Sequence, residues 1–347
     1  MKESVRFVSY SSTRMASYRY RTAIPAEGLH ELGYDCKIIR ADGEAPKGVY
    51  IFSKHFNPKE EYMFAKKLKD PNFEASNLTS VVAGEDKGRN AIIFDVCDNH
   101  FDGEIGEYYK QMIGLSDYVV AATDRMKKVV AHHCPDADIT VIKDSYEFSE
   151  RNPRYNWEQK EIENLLWFGH PTNIKHLQKV WNDLGGHNIM LITEEGVSLE
   201  VDGKPFPIVP WSMDSMLWGF AQSDVVVLPN EGEKSCKGAN RIIESIRQGV
   251  FVIAEPCPAY EEFKEWMYIG NIKEGLEWCN SNKGELQGRI LKAQDYIRGK
   301  YVPRAKVEQW QNLIQRASKD RFLPKDQETE GQEADGQEEQ EEVLSQG

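Results

Sequence analysis

Residues 224–254, DVVVLPNEGEKSCKGANRIIESIRQGVFVIA, carry the clearest pattern of secondary structure in the chain. An apolar run ends at Pro229, a polar loop containing glycine follows, and the next residues predict a helix over 238–248. Gly249, a residue type that commonly ends helices, leads directly into a second apolar run. Strand, helix and strand in this order predict a βαβ unit of a parallel sheet, which binds ligands at the carboxyl ends of its strands.

The predicted helix has two chemically opposite sides. At ~100° per residue, Lys237, Arg241 and Glu244 fall on one side. The opposite side, which should pack on the sheet, is formed by Ala239, Ile242, Ile243 and Ile246. Free N–H groups at a helix N-terminus favour anions, so the two cations predict a diphosphate site there. Glu244, one turn deeper, could accept hydrogen bonds from ribose hydroxyls. The alternative is a solvated helix face with Arg241 and Glu244 as an ordinary ion pair.

Gly238 and Asn240 stand at the start of the same helix. We expect both to contribute to the predicted diphosphate site, because the first turn of a helix carries the unsatisfied N–H groups.

Apolar runs of the same kind recur in two series. They are continuous rather than alternating, which is typical of strands covered on both faces in parallel sheets. The predicted strands are 5–10, 36–39, 49–53, 80–83, 91–96, 118–122 and 139–142, then 164–169, 189–193, 206–209, 224–229 and 250–254. Helices are predicted over 22–33, 59–69, 104–114, 123–133, 173–184, 213–222, 238–248, 259–267, 272–280 and 285–321, the last interrupted near Pro303. The sequence therefore predicts an α/β protein with two Rossmann-like, doubly wound domains facing each other across a cleft.

A polar segment separates the two series. We expect an N-terminal Rossmann-like domain over 1–150, a linker over 151–163 and a C-terminal Rossmann-like domain over 164–321 that contains the predicted diphosphate site and whose last helices can pack back on the first domain. Residues 326–347 hold nine acidic residues and no Lys or Arg. With almost no apolar side chains to bury, the segment 322–347 is predicted to be a disordered acidic tail.

The net charge of −13 comes mostly from that tail, since the rest of the chain has 43 basic and 47 acidic residues. This balance gives no sign of a nucleic-acid surface. No apolar stretch approaches the ~20 residues that span a membrane, and the N-terminus has no apolar signal segment. We expect a cytoplasmic protein, with peripheral membrane contact left open. None of the six cysteines forms a C-x-x-C pair, which favours free thiols over a zinc or redox motif.

The run 224–254 resembles the donor-binding segment of the group 1 (family 4-like) glycosyltransferases, which have the GT-B fold. Those enzymes carry a loop glutamate, seven residues, and then a second glutamate that binds the nucleotide ribose. Glu244, followed by SIRQG and VFVIA, matches the second glutamate. Cys236 stands at the position of the first, so the nearby Glu233, or alternatively Glu231, is the candidate for that role.

The resemblance extends to residues 164–177 and 209–230. It implies that Gly169 lets the backbone approach the donor and that Lys175 meets the donor phosphates. It also implies that Trp211 borders the nucleobase. A surface position for Lys175 and ordinary packing for Trp211 are the alternatives.

In the N-terminal domain, the sequence DVCDNHF (95–101) ends a predicted strand. The resemblance implies that His100 lies near the transferred sugar, with a purely structural histidine as the alternative. Arg19 and Arg21 could reach donor phosphates or an anionic acceptor, or lie on the surface.

Asp95 and Asp98 could pass for a metal-binding pair. GT-B enzymes generally need no bound metal, because a helix dipole and cations stabilise the leaving diphosphate. The resemblance therefore implies neither a metal nor a separate cofactor.

The activity implied by the resemblance is transfer of a sugar from a nucleotide-sugar donor to a hydroxyl of a saccharide, lipid-linked or other acceptor, with retention of configuration. His100, Lys237 and Arg241 are the candidate catalytic residues. Two alternatives stay open: a nucleotide-sugar epimerase or hydrolase on the same fold, and a non-catalytic nucleotide-sugar-binding protein.

Overall fold

The computed structural model describes residues 3–41, 46–53, 57–70, 89–153, 161–201, 203–230, 232 and 235–320. Two parallel six-stranded sheets form its framework, and they confirm the prediction of two doubly wound α/β domains. The predicted strand 80–83 and the acidic tail lie outside the described residues.

The first sheet belongs to the N-terminal domain and has the order β2-β1-β3-β4-β5-β6. Its strands are β1 Ser4–Val8, β2 Asp35–Ile39, β3 Val49–Ser53, β4 Ala91–Val96, β5 Tyr118–Ala121 and β6 Ile139–Val141. The central strands β3, β4 and β5 are buried along their whole length, as their continuous apolar runs predict.

The second sheet has the order β11-β8-β7-β12-β13-β14. Its strands are β7 Asn164–Phe168, β8 Asn188–Thr193, β11 Val209–Pro210, β12 Val225–Leu228, β13 Phe251–Ala254 and β14 Tyr268–Ile269. The predicted strand 206–209 is shifted and shorter, because Pro207 lacks the N–H that a strand ladder needs. The short antiparallel ribbon of β9 Glu200–Val201 and β10 Lys204–Pro205 was not predicted.

The helices cover both sheets. They are α1 Ala16–Tyr18, α2 Ile24–Glu31, α3 Pro58–Lys69, α4 Gly106–Leu115, α5 Asp124–His133, α6 Ile174–Lys179, α7 Met213–Gln222, α8 Asn240–Arg247, α9 Ile272–Ser281, α10 Lys283–Lys300 and α11 Pro303–Asp320. Between α1 and α2 the chain forms one π-helical turn, Arg19–Ala23. The predicted helix 173–184 is split into α6 and a 3-10 turn at Trp181–Leu184, and 259–267 is mostly a 3-10 helix, Pro258–Phe263.

The last helix, α11, crosses back to the N-terminal domain. Trp310 and Ile314 are buried in the same apolar cluster as Phe7 of β1. A Cβ atom on Gly28 would lie 2.4 Å from the side chain of Val307, so glycine allows α2 and α11 to approach closely. This packing ties the end of the described chain to the first sheet.

Within the described ranges, none of the helices combines the length and apolarity needed to cross a membrane.

Candidate functional site

A cleft of about 480 Å³ lies between the two domains at the carboxyl ends of both sheets. The loops that line it follow β1 and β4 in the N-terminal domain and β7, β8, β11 and β12 in the C-terminal domain. The strand order of the sheets reverses at this edge, between β1 and β3 and between β7 and β12. Open α/β sheets bind ligands at such positions. The predicted site residues that line the cleft are His100, Gly169, Trp211, Lys237, Gly238, Asn240, Arg241 and Glu244.

Helix α8 directs its N-terminus into this cleft. It begins at Asn240, two residues later than predicted, and no side chain caps its first turn. It ends as expected, because Gly249 has a φ of +73° and its N–H bonds to the Ile246 carbonyl at 2.9 Å. The Val250 N–H bonds to the Ser245 carbonyl at 3.0 Å, completing a Schellman motif. A side chain on Gly249 would also collide with the Asn152 carbonyl, 2.7 Å from a Cβ atom.

The two predicted phosphate-binding cations, Lys237 and Arg241, both line the cleft but differ in exposure and in their partners. Lys237 is exposed, and its Nζ lies 2.6 Å from Asp98 Oδ1 of the N-terminal domain. Arg241 is half-buried, with Nη1 at 3.4 Å from the Phe168 carbonyl. A Cβ atom on Gly169 would lie 3.5 Å from the same Nη1, so glycine keeps the end of β7 open beside the guanidinium. Among the described carboxylates, none forms an ion pair with Arg241. An anion in the cleft would therefore find a cation that the protein has not neutralised.

Glu244 was predicted to lie on the polar side of the helix, but it is buried. Only 2% of the residue is exposed. Its Oε1 accepts hydrogen bonds from Tyr20 Oη at 2.9 Å and the Glu147 N–H at 2.6 Å, and its Oε2 accepts one from the Phe148 N–H at 3.1 Å. Burial raises the pKa of Glu244 to about 7, although these three donors oppose the rise. Glu244 thus joins the C-terminal domain to Tyr20 and to the backbone just before the predicted linker, and a ribose could bind it only by replacing one of these partners.

The π-helical turn Arg19–Ala23 forms buried hydrogen bonds and ion pairs that the sequence did not predict. Arg21 is 1% exposed and binds Asp95 through two hydrogen bonds, Nη2 to Oδ1 at 2.5 Å and Nε to Oδ2 at 3.0 Å. Its Nη1 also lies 3.2 Å from Asp144 Oδ1. Burial opposes the charge of Arg21, but Asp95 and Asp144 raise its pKa. The guanidinium of Arg21 is enclosed and paired with carboxylates, so this geometry gives no support to the expectation that Arg21 reaches donor phosphates.

Asp144 connects the buried Arg21–Asp95 pair to helix α8. Its Oδ2 accepts a hydrogen bond from Asn240 Nδ2 at 2.9 Å, at the first residue of the helix. No motif indicated Asp144, which lies just before the predicted linker. Its position between Arg21 and Asn240 comes from the domain arrangement, so only the tertiary structure reveals it.

His100 and Trp211 both line the cleft. His100 is exposed at the rim of the cleft and contacts the Tyr109 ring edge-on, with ring centroids 5.6 Å apart. Trp211 follows β11, and the Arg19 guanidinium lies 4.4 Å from its ring centroid. Their proposed contacts to sugar and base remain predictions.

Lys175 is not brought to the cleft. It lies on the exposed side of α6, whereas the next residue, His176, is buried and lines the cleft. The predicted phosphate contact of Lys175 therefore has no support from this geometry. Glu233 and Glu231 lie outside the described residues, so the identity of the sugar-contacting carboxylate stays a prediction.

No group of three or more His, Cys, Asp or Glu side chains is arranged to hold a metal ion in the part of the chain that the structure describes.

Solved structures share this two-domain architecture, while no family model and no curated protein matches the chain. Anabaena Alr3699/HepE in complex with UDP and glucose has a TM-score of 0.63 at 8% identity, covering 90% of this chain and 99% of that one. An E. coli structure described as trehalose-6-phosphate bound with UDP-2-fluoro glucose has a TM-score of 0.51 at 12% identity, covering 88% and 78%. A variant of S. aureus TarM in complex with fondaparinux, alpha-GlcNAc-glycerol and UDP has a TM-score of 0.53 at 13% identity. The match covers 77% of this chain and 55% of TarM, so the chain spans about half of TarM's length. Similarity at these identities establishes the architecture: the chain has the GT-B fold of these glycosyltransferases.

Proposed function

We propose that this chain is a glycosyltransferase that moves a sugar from a nucleoside-diphosphate sugar to an acceptor hydroxyl. The observation that carries the proposal is the convergence of Lys237, Arg241 and the uncapped N-terminus of α8 on one interdomain cleft. Such a set of donors binds a diphosphate, and the cleft places it between two domains that can hold donor and acceptor separately.

The reaction breaks the bond between the anomeric carbon and the diphosphate oxygen, and the electron pair leaves with the diphosphate. The acceptor oxygen forms the new glycosidic bond and gives up its proton. For transfer with retention, the course we propose, the departing phosphate oxygen accepts that proton and no protein base is required. Arg241, Lys237 and the N–H groups of α8 stabilise the growing negative charge of the leaving group. Closure of the cleft excludes water and limits hydrolysis.

The solved structures support a uridine nucleotide and a saccharide acceptor as the first ligands to test. HepE and TarM are described in complex with UDP, and TarM also with fondaparinux and alpha-GlcNAc-glycerol. Donor candidates can be screened by thermal shift, since a ligand at 100-fold its Kd adds roughly 2.7 kcal/mol to the free energy of unfolding.

The test is turnover of a panel of nucleoside-diphosphate hexoses with and without mixed acceptors. We expect nucleoside diphosphate release that rises with acceptor and accompanies a glycosylated product. Arg241→Ala should slow it, whereas Arg304→Ala, at a side chain 84% exposed on α11, should not. Free sugar or an isomer formed without acceptor would indicate the hydrolase or epimerase alternative, and binding without consumption would indicate a binding protein.

The same assay tests independence from metal ions. Because protein cations and a helix N-terminus meet the diphosphate, we expect transfer to continue in EDTA. Complete loss that magnesium or manganese restores would contradict this part of the proposal.

A further inference from the structure

Three consecutive residues of the N-terminal domain reach three successive parts of the candidate donor site. Arg19 lies over Trp211, Tyr20 binds Glu244, and Arg21 binds Asp144, which in turn binds Asn240. Trp211, Glu244 and Asn240 are the residues predicted to border the base, the ribose and the phosphates. The turn from Arg19 to Arg21 therefore runs alongside the expected nucleotide from its base to its diphosphate.

Arg19 is the member of this turn that lies nearest the expected base, and the protein holds it firmly. Its Nε donates to both carboxylate oxygens of Glu147, at 2.7 and 2.9 Å, and its Nη1 donates to the carbonyls of Thr13 and Arg14 at 2.9 and 3.0 Å. The guanidinium lies 4.4 Å from the ring centroid of Trp211. Side-chain exposure is 13%, and the residue lines the cleft.

These contacts fix the guanidinium without using all its donors. The hydrogen bonds that the described residues form with Arg19 use Nε and Nη1, which leaves the Nη2 group available. A guanidinium has donors only and no acceptor. Nη2 can therefore bond to an acceptor at the edge of a base, such as a carbonyl oxygen, but not to an amino group at the same position.

We propose that Arg19 is a specificity-determining residue that donates a hydrogen bond to the carbonyl oxygen at position 4 of a pyrimidine base or position 6 of a purine base of the donor. The site then favours nucleotides with an oxo group at that position, in uracil, thymine or guanine, over those with an amino group there, in cytosine or adenine. This inference rests on the proposed function, because it needs a nucleotide in the cleft. A site built to bond a carbonyl rejects the amino analogue strongly, since two donors then face each other without an acceptor.

Two pairs of ligands test the inference with little change in shape. UDP and CDP differ at the oxo and amino group of the pyrimidine, and GDP and ADP include the same exchange on a purine. Calorimetric titration gives the Kd of each. We expect the preferred oxo nucleotide to bind at least 10-fold more tightly than its amino counterpart.

Arg19→Ala should bring that ratio close to one, by weakening the oxo nucleotide about 10-fold and leaving the amino nucleotide within about 2-fold. Arg19→Lys keeps the charge but loses the planar fork, so it should also lower the ratio, and it provides the answer if the alanine variant does not fold. Arg304→Ala is the control, an arginine on α11 whose side chain is 84% exposed and does not line the cleft, and should leave the ratio unchanged.

A ratio that stays the same in both Arg19 variants, or equal losses for oxo and amino nucleotides, would overturn the inference while leaving the proposed function intact. A wild-type preference for CDP or ADP would do the same. If the wild-type protein binds none of the four nucleotides, the proposed function itself fails.

Discussion

Arg241 and Arg247 lie six residues apart on helix α8, and their surroundings differ. Arg241 faces the cleft, with a long hydrogen bond to the Phe168 carbonyl and no ion pair among the described carboxylates. Arg247 is 5% exposed, donates from Nε to the Phe148 carbonyl at 3.0 Å and pairs with Glu150 at 3.0 Å. Its guanidinium also lies 3.6 Å from the Tyr146 ring centroid.

The difference follows from what packs against each turn of α8. The last turn meets the residues that connect the two domains, and the Arg151 N–H also bonds to the Arg247 carbonyl at 2.8 Å. The first turn meets open space at the ends of β7 and β12. A cation with several partners stabilises the fold, whereas one with few partners is available to a ligand. Substitutions of both arginines, of Glu244 and of two lysines test this division.

Arg247→Ala should destabilise the protein by about 3 to 4 kcal/mol. The change leaves the Phe148 carbonyl without its donor and removes the ion pair and the ring contact. Urea unfolding should show a lower midpoint. Arg241→Ala is the matched control and should change the free energy of unfolding by less than about 0.5 kcal/mol. Equal destabilisation by the two variants would show that Arg241 is structural as well.

Glu244 predicts a pH dependence of stability. Its pKa in the folded protein is about 7, above the ordinary value of 4.5, so the folded state binds the proton more tightly than the unfolded state. The stabilisation from this group is complete below pH 4.5 and is lost as the pH rises through 7. The loss is at most about 3 kcal/mol, from 1.36 kcal/mol per pKa unit.

Glu244→Gln isolates this contribution, because it removes the titrating group and leaves the other charged groups in place, including Arg19 and Glu147 nearby. Urea unfolding at pH 4.5, 6 and 8 should show the wild-type protein losing stability relative to the variant as the pH rises. Parallel curves would mean that Glu244 has the same pKa in the folded and the unfolded protein.

Arg241→Ala and Lys237→Ala should each weaken nucleoside diphosphate binding about 10-fold to 100-fold, since a charge-assisted hydrogen bond contributes ~1.5–3 kcal/mol. The free nucleoside lacks phosphates, so its affinity should stay within about 2-fold. Lys237→Ala has a second effect, because it removes the ion pair between Lys237 and Asp98. Calorimetric titration of both ligands measures the pattern. Equal losses of affinity for nucleoside and nucleotide would show that Arg241 and Lys237 do not act on the phosphates.

Much of the fold follows from the sequence because its signals are local. Continuous apolar runs predicted β3 and β4 at their observed bounds, and Gly249 predicted the end of α8. The site was less predictable, because partner choice is decided by residues far apart in sequence. Glu244 looks like a solvent-facing carboxylate on a helical wheel, yet Tyr20, 224 positions away, and the backbone N–H groups of Glu147 and Phe148 bind it. Arg21 is enclosed by Asp95 in the same way, over 74 positions.

Substitution of Lys175 should have little effect, because the structure and the resemblance place this residue differently. The resemblance places it at the phosphates, whereas the structure places it on the exposed side of α6, opposite the buried Ile174, His176 and Leu177. Lys175→Ala should therefore leave both diphosphate affinity and the unfolding midpoint within error of the wild-type protein, while Arg241→Ala in the same titration loses at least 10-fold. A 10-fold loss with Lys175→Ala would mean that α6 turns toward the cleft when the donor binds, and that the unliganded geometry does not define the phosphate site.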